Sequence, residues 1–488
     1  MNKEILEFIE TYIHAIKEDS AAIFAGAGLS VNSGYVNWKE LMRDIAEELG
    51  LDVDKETDLI EIAQFYRNSK SGRGSINQKL VDEFTKNVAI SENHKLLAKL
   101  PIKTFWTTNY DNLIEKAIEQ SSKIVDVKLT SDSLSYAKKR RDAVVYKMHG
   151  DISLPNDAVL TKDDYESYNE KRQMFTTALQ GDLVSKTFLF WGFSFDDPNL
   201  EYILSRIRIL LGESRRDHYC FFKTVSQEDF VDGDGKLNSE EYIYACTKQQ
   251  LKIQDLKRYS IQALLVKDYS QITDVFKIIY KRLKEDNIFI SGAAEIYHPW
   301  EKENAEKFIY ELSKKIAENG IKVISGFGTG IGSSVINGVL SYVYATNGAK
   351  MDENLVLKPF PQNIVDFEER EKLWYAYRND MLSDVGIVIF IFGNKLKNGE
   401  MINSNGMMEE FKLAVEKGAV IIPIGCTGYI SKVIWDKVME EPDRYYGNNE
   451  ELIKCIEKLG EENNNYGILI ETIMETIKII RDKRRKRL

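Results

Sequence analysis

Cysteine is scarce: only four stand in 488 residues, at 220, 246, 426 and 455, and no two form a CxxC pair. A structural zinc site of the ribbon or finger type needs such pairs, so none is expected. Few, scattered cysteines also suit a reducing cytosol. Long hydrophobic runs are missing too. The longest, Val385 to Phe392, is broken by Gly386. It is far too short to span a bilayer and reads as a buried strand. The first residues, MNKEILEFIE, place acidic side chains where a secretory signal needs an apolar core. A cytoplasmic protein without a membrane partner is therefore expected. Positive charge is in deficit: 66 Lys and Arg face 76 Asp and Glu, leaving a net charge of −10. An acidic surface repels a phosphodiester backbone, so nucleic acid is not an expected partner. The one basic run, Lys483 to Arg487, reads as a solvated helix C-terminus that complements the helix dipole.

What is present is globular: 43% hydrophobic and 29% charged residues, in a chain long enough for two or three domains. Short apolar runs alternate with amphipathic stretches, the pattern of α/β folds with parallel sheets. Strands are expected near Ala21–Phe24, Thr104–Thr107, Ala143–Met148, Thr187–Trp191, His218–Phe222 and Ala263–Val266, with helices such as Trp38–Leu49 and Asp111–Gln120 between them. A helix over Ser270–Glu285 reads as a connector. The pattern then restarts, with strands near Ile288–Ile290, Lys322–Ile324, Leu355–Leu357, Val385–Phe392 and Val420–Ile424. Helices near Glu303–Asn319, Ser333–Thr346, Phe367–Leu382 and Met407–Lys417 alternate with them. This places the boundary near Leu283, giving domains 1–283 and 284–488. No Pro- or Ser-rich linker marks it, so close packing of the two is expected. Asp232 to Glu241 imitates a calcium loop. An EF-hand needs an oxygen ligand at loop position five and glycine at six, where Lys236 and Leu237 stand. An exposed acidic hairpin or loop is expected instead.

Chemistry gathers at strand ends. Ala21–Phe24 runs directly into Ala25-Gly26-Ala27-Gly28-Leu29-Ser30. A strand ending in small residues lets backbone approach a pyrophosphate, with a helix N-terminus facing the anion. Thr107-Thr108-Asn109-Tyr110-Asp111 follows the second strand, His149-Gly150-Asp151 the third, and Gly192-Phe193-Ser194-Phe195-Asp196-Asp197 the fourth. Ligands bind at that carboxyl edge of open α/β sheets. Together these segments resemble the sirtuin family: its GAG-x-S turn at Gly26 to Ser30, its TQNID loop at Thr107 to Asp111, its catalytic HG pair at His149-Gly150, and its glycine–serine loop at the NAD ribose at Gly192 to Ser194. The resemblance covers about residues 1 to 283. It implies that Ala25, Gly26, Ala27, Gly28, Ser30, Asp111, Gly192 and Ser194 bind NAD, with Asp111 holding the nicotinamide carboxamide. Asn109 and His149 are the implied catalytic pair. Asn109 can orient water beneath the anomeric carbon, and His149 can take a proton from that water or from a ribose hydroxyl. Cleaving the nicotinamide–ribose bond needs a held ribose and a placed nucleophile, and no metal. The family's Pro-Asp-Phe-Arg is replaced by Gly34-Tyr35-Val36-Asn37-Trp38, its Gln by Thr108, and its four-cysteine zinc module is absent. The loss of the zinc module, which builds the acyl-peptide cleft in deacylases, favours attack by water over deacylation.

The second part carries Ser291-Gly292 after its first strand and Ser325-Gly326-Phe327-Gly328-Thr329-Gly330-Ile331-Gly332-Ser333 after its second. The loop lacks the lysine of a P-loop, so ATP hydrolysis is not expected, yet it enters a helix whose N–H groups can hold phosphates. Arg378 precedes the central strand, Lys395 follows it, and Glu409-Glu410 opens the next helix. An arginine, a lysine and a carboxylate at one sheet edge suit a ligand with two phosphates and ribose hydroxyls. This segment resembles the SLOG domains. The implied nucleotide-binding residues are Ser291, Gly292, Gly326, Gly328, Thr329, Gly330, Arg378, Lys395 and Glu410, with Glu409 the alternative to Glu410.

The expected fold class is thus α/β: a sirtuin-like, Rossmann-type parallel sheet without a zinc module, then a Rossmann-like SLOG domain. That order resembles the effector family of the bacterial Thoeris antiphage system over essentially the whole chain. The resemblance implies an NAD+ glycohydrolase that releases nicotinamide and ADP-ribose, with NAD+ as substrate and no cofactor or metal. The implied activator is a cyclic ADP-ribose isomer made by a TIR-domain partner. Depletion of NAD in abortive infection and a homo-oligomer, a tetramer or higher, are also implied. A sirtuin-type protein deacylase and a non-enzymatic NAD-binding switch are the alternatives.

Overall fold

The structure is a computed structural model. It describes the chain apart from residues 196, 213–215, 234, 362, 363, 365, 398, 462–464 and 487–488. Asp196, Asp234 and Arg487 of the sequence reading lie outside the described residues. The chain forms two compact units, Met1–Tyr280 and Lys281–Leu488. The helix Ser270–Lys284 runs across that division.

The first unit contains β1 (Ala21–Ala25), β2 (Thr104–Thr107), β3 (Val125–Lys128), β4 (Ala143–Lys147), β5 (Thr187–Trp191), β6 (His218–Lys223) and β7 (Ile261–Val266). They form one sheet in the order β3-β4-β2-β1-β5-β6-β7, parallel at every pairing. Residues of β1, β2 and β5 are buried throughout. Strands covered on both faces become continuous apolar runs, which is why AAIFA and TFLFW are legible as strands. β3 is not marked in the sequence. It carries Asp126 and Lys128, which pair inside the fold at 3.0 Å, with Arg141 adding a second contact to Asp126 at 2.8 Å.

The register aligns the strand ends that matter. Ala25 is opposite Thr107 on one side and Trp191 on the other, and Thr107 is opposite Lys147. Chain order reverses at β1, which has β2 on one flank and β5 on the other, so the loops after these strands open at a topological switch point.

The second unit contains β8 (Asn287–Ala293), β9 (Lys322–Ser325), β10 (Leu355–Leu357), β11 (Ile387–Phe392), β12 (Asn394–Lys397), β13 (Glu400–Asn403) and β14 (Val420–Pro423). Five form a parallel sheet, β10-β9-β8-β11-β14, around the fully buried IVIFIF of β11. β12 and β13 make a separate antiparallel hairpin, unmarked in the sequence because its side chains are largely polar or exposed. The calcium-loop imitation is a small exposed turn in which the Asp232 N–H donates to the Lys236 carbonyl and Val231 bridges Leu237. Among the described residues no group of acidic, His or Cys side chains could hold a metal, and no helix is long and apolar enough to cross a membrane.

Candidate functional site

The loops after β1, β2, β4 and β5 enclose a cavity of about 550 Å³ in the first unit. Its inner wall is glycine for a steric reason. The Gly28 N–H donates to the Gly192 carbonyl at 2.9 Å, and the Gly26 N–H to that of Trp191 at 2.9 Å. A Cβ on Gly26 would stand 2.4 Å from the Gly192 oxygen, and one on Gly192, whose φ is +66°, 2.3 Å from the Leu29 nitrogen. The glycines of the two loops therefore pack backbone against backbone. That contact, rather than room for pyrophosphate, is what first requires Gly26, although Gly26, Ala27 and Gly28 do line the cavity beside Gly192 and Ser194. Ala25 is wholly buried; its carbonyl accepts from the Thr107 hydroxyl and the Thr108 N–H, and it does not reach the wall.

Asn109 is buried and held on both sides. Its N–H donates to Thr107 Oγ1 at 2.9 Å, and its side-chain amide donates to the Gly26 carbonyl and to Ser30 Oγ, each at 3.1 Å. Ser30 Oγ in turn donates to Asp111 Oδ2 at 2.8 Å, while Asp111 Oδ1 accepts from the Leu113 N–H. The expected helix Asp111–Gln120 accordingly begins at Leu113, because Asp111 turns back to meet that N–H. The result is one hydrogen-bonded chain, Asn109–Ser30–Asp111, across two loops.

His149 lines the same cavity. Its Nε2 lies 3.0 Å from Asp197 Oδ2, close enough for an ion pair, yet among the described residues this buried nitrogen makes no aligned hydrogen bond. The rings of Tyr165 and Tyr168 stand edge-on to the imidazole at 5.6 and 6.2 Å. Asp197 caps the helix Pro198–Leu211 through the Leu200 N–H at 2.9 Å. Burial pushes its carboxyl up, but the charge of His149 and the Leu200 and Asn199 N–H groups outweigh this and hold it below the ordinary carboxylate value. Asp197 and Tyr165 were not singled out as site residues. The helix-start signal, Asp before Pro ahead of an apolar periodic stretch, was available for Asp197. Its approach to His149 exists only in three dimensions.

In the second unit Ser291, Arg378 and Glu410 come together. Ser291 Oγ donates to Glu410 Oε2 at 2.7 Å, and Arg378 Nε lies 3.5 Å from Glu410 Oε1. Glu409 takes the other side of the guanidinium through Arg378 Nη1, so both acidic residues meet Arg378, and only Glu410 is buried. Burial pushes the Glu410 carboxyl up, only partly offset by Ser291 and Arg378. The guanidinium also lies over the rings of Phe360 and Trp374, at 4.9 and 5.8 Å. Gly326 faces Phe360, while Gly328 and Gly330 press on the carbonyls of Gly292 and Ala294, where a Cβ would stand 2.0 Å away in each case. Thr329 is exposed, and its carbonyl accepts from the Ala294 N–H. Lys395 sits on β12, and among the described residues no hydrogen bond or ion pair joins it to the Arg378–Glu410 pair.

Two family models match the chain: a SIR2-like domain over residues 103–241, and the Sir2- and TIR-associating SLOG family over residues 271–480. The fold class is therefore α/β with a SIR2-like domain followed by a SLOG domain. A protein of Cytobacillus dafuensis named NAD(+) hydrolase ThsA is 46% identical over 98% of this chain and 97% of its own length. Its namesake from Bacillus cereus (strain MSX-D12) is 46% identical over 98% of each chain. A Bacillus subtilis protein named defense-associated sirtuin 2 is 27% identical over 44% of this chain and 22% of its own. Near-full-length identity at this level, on a chain whose β1, β2, β4 and β5 loops share one cavity, shows that the chain belongs to the ThsA family of NAD(+) hydrolases.

Proposed function

We propose that this chain cleaves NAD+ to nicotinamide and ADP-ribose in the first-unit cavity. Asn109 orients the attacking water and His149 accepts its proton, while Asp111, Ser30 and the Gly26–Gly28 and Gly192–Ser194 loops hold the dinucleotide. One observation carries this reading. Asn109 and His149 line the same cavity, the amide of Asn109 is fixed by two acceptors, and the buried Nε2 of His149 lies 3.0 Å from Asp197 Oδ2. A proton acceptor in such a site must be held in place, and a carboxylate beside it stabilises the imidazolium that forms.

The second unit is the sensor in this proposal. It binds a cyclic ADP-ribose isomer made by a TIR-domain partner, through Arg378, Glu410, Ser291 and the glycine loop, with Lys395 recruited to a phosphate. Binding switches on NAD+ depletion as an antiphage response. Moving a population from 1:99 to 99:1 requires about 5.5 kcal/mol of preference for the active state, within reach of charge-assisted bonds to two phosphates. The experiment is to incubate the purified full chain with NAD+, with and without cyclic ADP-ribose isomers, and to measure free nicotinamide and ADP-ribose. The expected result is near-silence alone and rapid release with one isomer; no nicotinamide under any condition would overturn the proposal. A homo-oligomer, a tetramer or higher, gives the switch a rigid-body interface to repack. Light scattering should then return a multiple of the chain mass of 56.2 kDa, and a monomer that still switches would remove the interface.

A further inference from the structure

Lys147, the last residue of β4, is 0% exposed. A buried ammonium is costly unless its hydrogens find oxygen acceptors. Here the acceptors come from both loops that carry the proposed chemistry. Lys147 Nζ lies 3.0 Å from Asp151 Oδ2, and these two residues bracket the turn bearing His149 and Gly150, whose φ is +89°. The turn itself is closed by the Gly150 N–H donating to the Lys147 carbonyl at 3.1 Å. The same ammonium donates to the main-chain carbonyl of Asp111, in the loop after β2 that presents Asn109. A third oxygen, Glu115 Oε1 on the helix Leu113–Gln120, stands 3.4 Å away.

We infer that Lys147 is a positioning residue, one buried cation that fixes the Asn109 loop and the His149 turn at a set separation. The inference rests on the reading of this cavity as the site of NAD+ hydrolysis. Asp111 is the point of leverage. Its carbonyl is fixed by Lys147 while its carboxylate receives Ser30 Oγ, which accepts from Asn109. A shift of the Asp111 backbone therefore reaches the amide that orients the water. The carboxylates around Lys147 keep it charged: burial favours the neutral amine, and Glu115, Asp151 and Asp111 outweigh it. Lys147 does not itself line the cavity and reaches it only through Asp111 and the His149 turn, so its effect is on geometry alone.

A cluster that merely stabilised the fold would be replaceable by neutral groups of similar shape at little cost. The test is the variant Lys147→Met/Glu115→Gln/Asp151→Asn in the full chain, with turnover followed under the condition in which the wild type cleaves NAD+. Its Tm should stay near the wild type. Its kcat should fall about 100-fold while KM for NAD+ changes less than about threefold, the signature of a misplaced nucleophile with binding retained. Amide exchange should quicken at residues 107–113 and 147–151 together. Wild-type kcat, or a loss confined to KM, would overturn the inference. If the triple variant does not fold, Asp151→Asn decides alone, since it keeps the ammonium and its other oxygens: kcat must drop at constant KM, and an unchanged kcat refutes the role. If the wild type itself releases no nicotinamide, the functional reading fails. The exchange measurement still settles whether Lys147 couples the two loops, and unchanged exchange at either loop refutes it.

Discussion

The two switch-point sites are built from the same parts and differ in where their charges are satisfied. In the first unit the polar groups form a scaffold, Asn109–Ser30–Asp111, beside a cavity of about 550 Å³ that also holds the His149–Asp197 pair. In the second unit the cation is already engaged: Arg378 meets Glu409 and Glu410 and lies over two aromatic rings. In the proposed reading the first arrangement serves proton transfer, with Asp197 placed to stabilise the charge that the imidazole gains. If the second binds a phosphate as proposed, the ligand would compete with carboxylates for one guanidinium, and part of the binding energy would go into rearranging the site, as a switch requires.

The sharpest way to break this contrast is to remove the reactive groups. Asn109→Ala or His149→Ala should lower NAD+ turnover about 10³-fold with circular dichroism and Tm close to the wild type. Near-normal turnover in either variant removes the assigned roles. Next is Arg378→Ala. It should abolish the response to the cyclic nucleotide and leave Glu410 buried without its cation, destabilising the second unit by about 3 kcal/mol. An unaltered ligand response would show that the phosphates bind elsewhere.

The smallest effect is in pH dependence, where the two units should move in opposite directions. Asp197 titrates below its ordinary value in the fold. The stability it contributes is present above its unfolded value and is lost as pH falls through the folded one. Glu410 titrates above its ordinary value. Its contribution is complete below the unfolded value and is lost as pH rises through the folded one. Thermal melts across pH should therefore show Asp197→Asn with a shallower acid loss, and Glu410→Gln without the decline on the rising side. Identical acid limbs for wild type and Asp197→Asn would contradict the ion pair with His149.

Much of the fold was legible because buried parallel strands must be apolar along their whole length. AAIFA, TFLFW and IVIFIF can hardly be anything else, and the polar segments that follow them fall where the sheet edge opens. β3 escaped because Asp126 and Lys128 look like surface residues until they are seen to neutralise each other inside. The Asn109 and His149 segments, singled out from residue type and order, line one cavity. The Asp197 contact with His149 was not singled out, since the two are far apart in sequence.

By itself, then, the sequence determined two parallel α/β units and which loops carry polar chemistry, because periodicity and strand-end composition are local properties that burial imposes on the chain. Only the tertiary structure decided why the glycines are glycine, which acid meets which base, and that Glu410 is the buried partner of Ser291 while its half-buried neighbour Glu409 pairs with Arg378. Those outcomes depend on separations of about 3 Å between residues distant in the chain. Charge pairing and steric exclusion at that range are set by the register of strands and the packing of loops, which no local pattern encodes.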